Sequence, residues 1–432
     1  MGAELMMGCT SDFSGLVRGK GFRSTDLDRK VARGIGWTPT NVQITCFDTI
    51  AESPYGALGD LVLRPDPGTL VNAALPGGGK LHFLLGDITE LDGAPWECCT
   101  RSLLKAALAR FREASGLDLR ATFEHEFMLP GGRGTRAFSL AGFAERQRFG
   151  EALFDALDGA GIAPDSFLRE YGPDQMEVTL PPAPALRAAD EAVIVREVTR
   201  ATAAAMGLSA TFSPLCAPDI VGNGVHIHLS LWDGDRPVTH DPGGQDGLSA
   251  PASAFVAGVL AHLNAVSAFT APSAISPLRL VPHRWSAAFN NLGRQDREAA
   301  IRICPVTATD PADRARQFNV EFRAADAAAS PHLALAAVVA AGTLGTAAGL
   351  RAAPSSAEDL SLLSPAELGK RGFRRLPPSL GAALEDLMAD AAFLATLPPR
   401  MPAIYAAHKR GELAHVEPMT EAQRFAAYAA TY

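Results

Sequence analysis

Leu119-Arg120-Ala121-Thr122-Phe123-Glu124-His125-Glu126-Phe127-Met128-Leu129 reads as a β-strand whose alternation puts Phe123 and Phe127 on one face and the carboxylates of Glu124 and Glu126 on the other. Two like charges about 7 Å apart on a sheet surface, from the strand rise, call for either water or a cation. Three further stretches alternate in the same way: Gln175-Met176-Glu177-Val178-Thr179, Val225-His226-Ile227-His228-Leu229-Ser230 and Asn319-Val320-Glu321-Phe322-Arg323. Alternation in any one of them is most simply the wet face of an antiparallel sheet. Ordinary wet faces mix Lys, Thr, Ser and Gln, however, whereas these four gather Glu, His and Arg with no Lys. Together they read as a metal-plus-phosphate site on the polar face of a sheet.

Composition bounds the class. A chain of 432 residues suits two domains. Hydrophobic content of 47% with 20% charged residues excludes a disordered or fibrous chain. The formal charge of −8, with no basic run, argues against a nucleic-acid partner. The six cysteines (Cys9, Cys46, Cys98, Cys99, Cys216, Cys304) form no C-x-x-C pair, and adjacent Cys98 and Cys99 bridge only with strain, so reduced thiols and a cytoplasmic location are expected. Residues 1–21 lack a basic stretch followed by an apolar one, so no signal peptide is expected. The apolar stretch 333–350 is rich in Ala and Gly and reads as a buried helix rather than a bilayer span, so no membrane partner is expected.

Along the chain, residues 1–96 read as a small, mostly β domain. Asp12-Phe13-Ser14-Gly15 is a turn, 41–47 a strand, and Leu61-Val62-Leu63 a strand after the Gly59-Asp60 break. Pro65, Pro67, Pro76 and Gly77-Gly78-Gly79 punctuate a loop. The first convincing helix follows Pro95, with Leu103, Leu104, Ala107, Leu108 and Phe111 on one stripe and Gly116 just past its end. The domain boundary is placed just before it. Residues 97–432 then alternate helices (140–161, 188–206, 250–269, 330–350, 380–395, 421–430) with strands, an α+β catalytic body without a repeat.

Several motifs in order along the chain resemble those of the glutamine synthetase family: Asp12 through Lys20, Glu124-His125-Glu126-Phe127, Glu170 through Glu177, Gly224 through Ser230, Arg279-Leu280-Val281-Pro282, Glu321-Phe322-Arg323 and Ser330 through Leu335. The resemblance implies a β-grasp N-terminal domain, a catalytic domain whose curved antiparallel sheet forms a funnel, and a homododecamer of two stacked hexameric rings with sites between neighbouring subunits. It implies that Glu126, Glu170 and Glu177 hold the divalent ion nearer the amino-acid substrate, and Glu124, His226 and Glu321 the one nearer the nucleotide. Five carboxylates and an imidazole suit Mg²⁺ or Mn²⁺, with two or three ions per site. The same resemblance assigns Arg297 and Arg302 to phosphates and Arg279, Arg323 and Gly222 to the acidic substrate. His228 and Ser230 go to ATP, and Arg297, Arg323 and Glu321 form the catalytic set. The chemistry implied is activation of a carboxylate by ATP to an acyl phosphate that an amine then attacks.

Departures from the family pattern bear on the substrate. Where a flap glutamate that receives ammonium belongs, the chain reads His283-Arg284-Trp285, and the loop that supplies an aspartate to the same pocket reads Arg33-Gly34-Ile35-Gly36-Trp37. An aromatic wall at Trp285 favours an amine that carries carbon, through apolar contact and cation–π attraction. The expectation is a ligase joining glutamate, or a close analogue, to an organic amine, akin to γ-glutamylpolyamine and γ-glutamyl-alkylamide synthetases. Two alternatives stay open: a true glutamine synthetase using ammonia, and a non-catalytic relative. Asn319 stands where the family has an arginine, and Val221-Gly222 where it has asparagine-glycine, so the acid need not be glutamate itself. No tyrosine lies in 365–378, so adenylylation there is not expected.

Overall fold

Six strands build the first sheet: β1 (Leu5–Ser11), β2 (Val17–Arg23), β3 (Ile35–Trp37), β4 (Leu61–Pro65), β5 (Val71–Ala74) and β6 (Lys80–Thr89). Their order is β2-β1-β6-β4-β3, with β5 paired to β6. The computed structural model describes residues 4–432. β1 and β2 are joined by the expected turn, in which Asp12 Oδ1 accepts from the amides of Ser14 (2.8 Å) and Leu16 (2.9 Å). Gly15 closes that turn at φ +74°, and a Cβ there would meet the backbone carbonyl of Ala329, so the hairpin tip is pressed against the second domain. β1 runs parallel to β6 while the other pairs are antiparallel, and a short helix (Leu27–Arg33) packs on β4, as a β-grasp domain requires.

The strand expected over 41–47 is not formed. Pro39–Gln43 is a 3₁₀ turn, and the chain beyond it docks on a late helix, Met401–Val416: Gln43 Nε2 donates to Ile404 O at 3.4 Å and His408 Nδ1 lies 2.8 Å from Val42 O. Its buried residues, Val42, Gln43, Thr45 and Cys46, therefore follow contact with a helix rather than the period of two that strand pairing gives.

The second sheet contains β7 (Asp118–Met128), β8 (Ser166–Arg169), β9 (Gln175–Thr179), β10 (Ala183–Pro184), β11 (Val225–Asp233), β12 (Arg236–Pro237), β13 (Phe289–Arg294), β14 (Ala299–Ile303) and β15 (Val320–Phe322). The order is β13-β14-β15-β11-β7-β9-β8, with β10 on β7 and β12 on β11. All pairs are antiparallel except β13 with β14. One face is apolar: Phe123, Phe127, Met176, Val178, Ile227, Leu229 and Phe322 are all buried, with the helix Ala185–Ala205 packed on β7. This is the α+β arrangement that the resemblance implies, and burial of that face leaves the opposite one to form a polar funnel.

The helix after Pro95 spans Thr100–Ser115, buries Leu103, Leu104, Ala107 and Phe111, and ends at Gly116 in the left-handed conformation. It packs on the apolar helix Pro331–Ala347, most of whose residues are buried. That helix also packs on Ala250–Ala261, where a Cβ on Gly258 or Gly345 would meet the other helix's backbone. The single helix expected over 250–269 is instead Ala250–Ala261 and Leu263–Thr270, bent by 77°. His262 at the bend places Nδ1 2.6 Å from Asp390 Oδ2, and Asp390 in turn caps Ala391–Leu394, splitting the helix expected over 380–395. Among the described residues no single helix is long and apolar enough to cross a membrane.

Candidate active site

Register brings the polar residues of the four alternating strands together. His226 stands opposite Glu124 across β11 and β7, Glu126 opposite Glu177 across β7 and β9, and Glu321 between His228 of β11 and Arg302 of β14. Strand alternation then keeps Glu124 with Glu126, and Glu321 with Arg323, on the one polar face. These side chains, His228 apart, line a cavity of about 550 Å³ together with Glu170, Tyr171, Gln175, Gly222, Arg279, Arg284, Trp285 and Arg297. All six expected metal positions are there.

Within it, Glu124, His226 and Glu321 offer ligand atoms within 4.8 Å of one another, the triple expected nearer the nucleotide. His226 Nδ1 lies 3.2 Å from Glu124 Oε2 and 3.4 Å from Glu321 Oε1. The other group that comes together is Glu126, Glu177 and His226 rather than Glu126, Glu177 and Glu170. Glu170 sits in the turn after β8, lines the same cavity, and accepts from the Tyr171 amide at 2.8 Å. Gln175, to which the sequence reading gave no role, ties this end together: its Nε2 donates to Glu126 Oε2 (3.0 Å), Gly222 O (3.1 Å) and Asn223 Oδ1 (3.0 Å).

The electrostatics fit a cation site. Burial, then the charges of Glu124, Glu126, Glu170 and Glu321, push the Glu177 carboxyl up to about 9, so a proton sits where carboxylates crowd. Burial and the neighbouring Glu126 also raise Glu170. Burial works to raise Glu124 as well, but hydrogen bonds from His226 and His228 outweigh it and hold that carboxyl below its ordinary range. Glu321 is 1% exposed, yet His226, Arg323, His228 and Arg302 together override burial and bring it to about 2. Arg302 Nε donates to Glu321 Oε2 at 2.5 Å and Arg323 pairs with Oε1. Carboxylate oxygens converging with one imidazole are the donor set of a hard divalent ion.

Arginines frame the cavity. Arg279 is buried and donates to Ser286 Oγ (2.9 Å) and Ala325 O (2.6 Å), while its Nε has no partner among the described residues. Arg323 Nε donates to the Arg297 carbonyl at 2.9 Å, leaving the exposed Arg297 guanidinium facing the opening. Arg297 and Arg302 also line an adjoining cavity of about 430 Å³ with Cys304, Val306 and Phe318. His228 lies behind Glu124, its Nε2 3.0 Å from Glu124 Oε1, and lines neither cavity. Ser230 is farther along β11, where its hydroxyl accepts from Trp232 Nε1 at 2.9 Å, and it too lines neither.

Trp285 is no core residue. It is 51% exposed and stacks on Tyr171, itself 59% exposed, with ring centroids 5.8 Å and planes 16° apart. Tyr171 carried no signal in the sequence, because its partner lies on a distant segment. His283 and Trp285 both adopt positive φ (62° and 55°), and Glu298 holds that segment by accepting from the amides of His283 (3.0 Å) and Trp285 (3.2 Å). None of 33–37 lines this chain's own cavity.

Residues 97–428 match the family model "Glutamine synthetase, catalytic domain" and residues 2–96 "Glutamine synthetase N-terminal domain". The chain is 35% identical to gamma-glutamylpolyamine synthetase GlnA3 of Streptomyces coelicolor, over 96% of this chain and 91% of that protein. It is 30% identical to a glutamine synthetase of Thermococcus kodakarensis, over 88% and 83%. A crystal structure described as a novel glutamine synthase homolog superposes with a TM-score of 0.92 at 43% identity, covering 100% of this chain and 99% of that one. GmaS in complex with ADP follows at 0.81 and 26%, covering 98% and 96%. Strand register, the carboxylate–imidazole cluster and these likenesses over both domains converge: the chain belongs to the glutamine synthetase family of carbon–nitrogen ligases.

Proposed function

We propose that the protein joins the γ-carboxylate of glutamate, or of a close analogue, to an organic amine, with ATP as co-substrate. The observation that carries the reading is the rim of the cavity: where an acid would receive ammonium, Trp285 stands stacked on Tyr171. Two parallel aromatic faces offer an alkylammonium apolar contact and cation–π attraction, which ammonium can use only in part. The similarity to gamma-glutamylpolyamine synthetase GlnA3 supports the same reading.

In this reading Glu124, His226 and Glu321 hold a divalent ion on the nucleotide side, and Glu126, Glu170 and Glu177 one on the side of the acid, two or three Mg²⁺ or Mn²⁺ ions in all. Bound there, they supply charge neutralisation for the triphosphate. Arg297 and Arg302, which line both cavities, face the phosphates, with His228 and Ser230 on the nucleotide side. Arg279, Arg323 and Gly222 hold the acid by its carboxylates, for which the guanidinium fork is suited. The acid's γ-carboxylate oxygen attacks the terminal phosphorus of ATP and ADP leaves; the amine nitrogen then attacks the acyl phosphate carbon, phosphate leaves with the bonding pair, and the proton that the nitrogen loses passes to solvent. We read the assembly as a closed ring of such chains, supported by the edge position of β3, which leaves Arg33 and Gly36 exposed toward a neighbouring copy.

A phosphate-release assay with glutamate, ATP and Mg²⁺ across ammonia and a panel of mono-, di- and polyamines tests this. Organic amines are expected to turn over with far higher kcat/KM than ammonium. Ammonium matching the best of them would sink the reading in favour of a glutamine synthetase.

A further inference from the structure

Behind the carboxylate cluster lies a second group of potential ligands, two of which the hard-ion site does not use. Cys304 Sγ, at the end of β14, is 3.5 Å from His228 Nδ1 and 3.8 Å from Glu321 Oε2, and ligand atoms of the three residues all lie within 4.8 Å of one another. Cys304 is 7% exposed and lines the adjoining cavity, so the group is shielded yet reachable. Tetrahedral zinc, with Zn–S of about 2.3 Å and Zn–N or Zn–O of about 2.0–2.2 Å, sets sulfur about 3.5–3.6 Å from a neighbouring nitrogen or oxygen ligand. The two distances seen here match those edges to within a few tenths of an ångström.

We infer that His228, Cys304 and Glu321 form a site for a thiophilic divalent cation of the zinc class, distinct from the Mg²⁺ or Mn²⁺ sites but sharing Glu321 with one of them. A thiolate ligand selects zinc over magnesium, and zinc outranks manganese at any mixed N, O, S site. A carboxylate stands at the far side of the ring: His228 Nε2 lies 3.0 Å from Glu124 Oε1, short of hydrogen-bond geometry, and a small turn of the ring makes the carboxylate–histidine pair that leaves Nδ1 for the metal. Asn319 Oδ1, 2.9 Å from that Nδ1, turns away when the ion arrives, and Arg302 shares Glu321 or moves into the cavity it lines. The fourth position opens to that cavity and takes water. The thiol proton passes to solvent on binding. Because Glu321 turns Oε2 toward Cys304 and Oε1 toward His226, zinc on Oε2 draws charge from the carboxylate on which the hard ion relies, so the site acts as a zinc-sensitive brake.

The full-length protein, freed of metal by chelation, is titrated with Zn²⁺ against a chromophoric chelator and, separately, with Co²⁺ under anaerobic conditions. The wild type is expected to bind Zn²⁺ and to show thiolate-to-cobalt charge-transfer absorption, which Cys304→Ala and Cys304→Ser lack. Zn²⁺ affinity in these variants is expected to fall by more than the roughly 10–100-fold that loss of an outer-shell partner costs. Mg²⁺-dependent turnover without zinc stays near wild type in Cys304→Ser, and inhibition by Zn²⁺ moves to correspondingly higher concentration. Equal Zn²⁺ affinity in wild type and both variants, or a cobalt spectrum without the thiolate band, overturns the site. Both binding measurements are made without acid, amine or ATP, so they stand apart from the substrate reading.

Discussion

Tyr171 and Trp285 stack at the mouth of the cavity with centroids 5.8 Å and planes 16° apart, and neither ring is buried in the core. Two large rings left half in water lose hydrophobic stabilisation unless a ligand covers them. A stacked pair at an exposed site contributes about 1 kcal/mol to a bound cation, roughly fivefold in affinity. Trp285→Ala and Tyr171→Ala are each expected to raise the KM for the organic amine by about that factor while leaving the KM for ATP unchanged. The double variant should be less than additive, since either ring alone has lost its partner. Steady-state kinetics with each substrate varied in turn decides this, and an unchanged amine KM in both single variants counts against an aromatic amine site.

Glu298 acts on the same rim from outside. Its carboxylate accepts from the amides of His283 and Trp285, both at positive φ, a backbone cost of order 1–3 kcal/mol for each such residue. Glu298→Ala should release the segment, raising the amine KM as Trp285→Ala does and lowering Tm only slightly. Glu298→Gln, which keeps one acceptor, should recover part of the loss. A variant pair with wild-type amine KM would show that the turn holds without it.

The Glu177 carboxyl, pushed up to about 9, keeps a proton that a divalent cation must displace. Mn²⁺ affinity should therefore rise by nearly tenfold per pH unit between about pH 6 and 9, with release of about one proton. Calorimetry in two buffers of different ionisation enthalpy measures that release. For the metal-free protein the sign is opposite. A carboxyl whose folded pKa is raised binds more protons folded than unfolded between about 4.5 and 9, so stability falls as pH climbs through that window. Glu177→Gln should flatten both dependences, and an Mn²⁺ affinity independent of pH in the wild type would contradict the crowding at Glu177.

Glu321 is the anionic centre for Arg302, Arg323 and His226, with its side chain 1% exposed and Arg323 3% exposed. Removing one partner of such a buried group costs about 3–5 kcal/mol, because the remaining charges stay uncompensated. Glu321→Ala should show that loss in chemical denaturation and abolish metal-dependent ATP turnover. A variant as stable as wild type would mean the arginines find other partners or water.

Gly224 donates its amide to Glu126 Oε2 at 2.7 Å, and a Cβ there would lie 3.1 Å from Arg279 Nη1. Gly224→Ala should displace the buried Arg279 guanidinium and raise the KM for the acidic substrate more than that for ATP. Equal effects on both would place Arg279 outside the acid site.

Much of the site was readable because strand alternation is a local property. A period of two puts Glu124 with Glu126, His226 with His228, and Glu321 with Arg323 on one face whatever the strands pair with. The stripe of Thr100–Ser115 and the left-handed stop at Gly116 were equally local. Where burial depended on a distant partner, local reading failed. Residues 41–47 alternate in sequence, yet they bury Val42, Gln43, Thr45 and Cys46 because they dock on Met401–Val416, a helix whose buried residues include His408, Lys409 and Glu412 and which therefore shows no apolar stripe. The bend at His262 needs Asp390.

Local pattern is enough to say which side chains share a face and that the chemistry is carboxylate, imidazole and guanidinium. Who meets whom emerges from the folded chain alone: Glu126 beside Glu177, Glu321 between His228 and Arg302, Glu170 set back from the cluster, Tyr171 against Trp285, and Cys304 against His228. Strand register and loop closure come from packing of the opposite, apolar face, a sum over many contacts distant in sequence that no local pattern records.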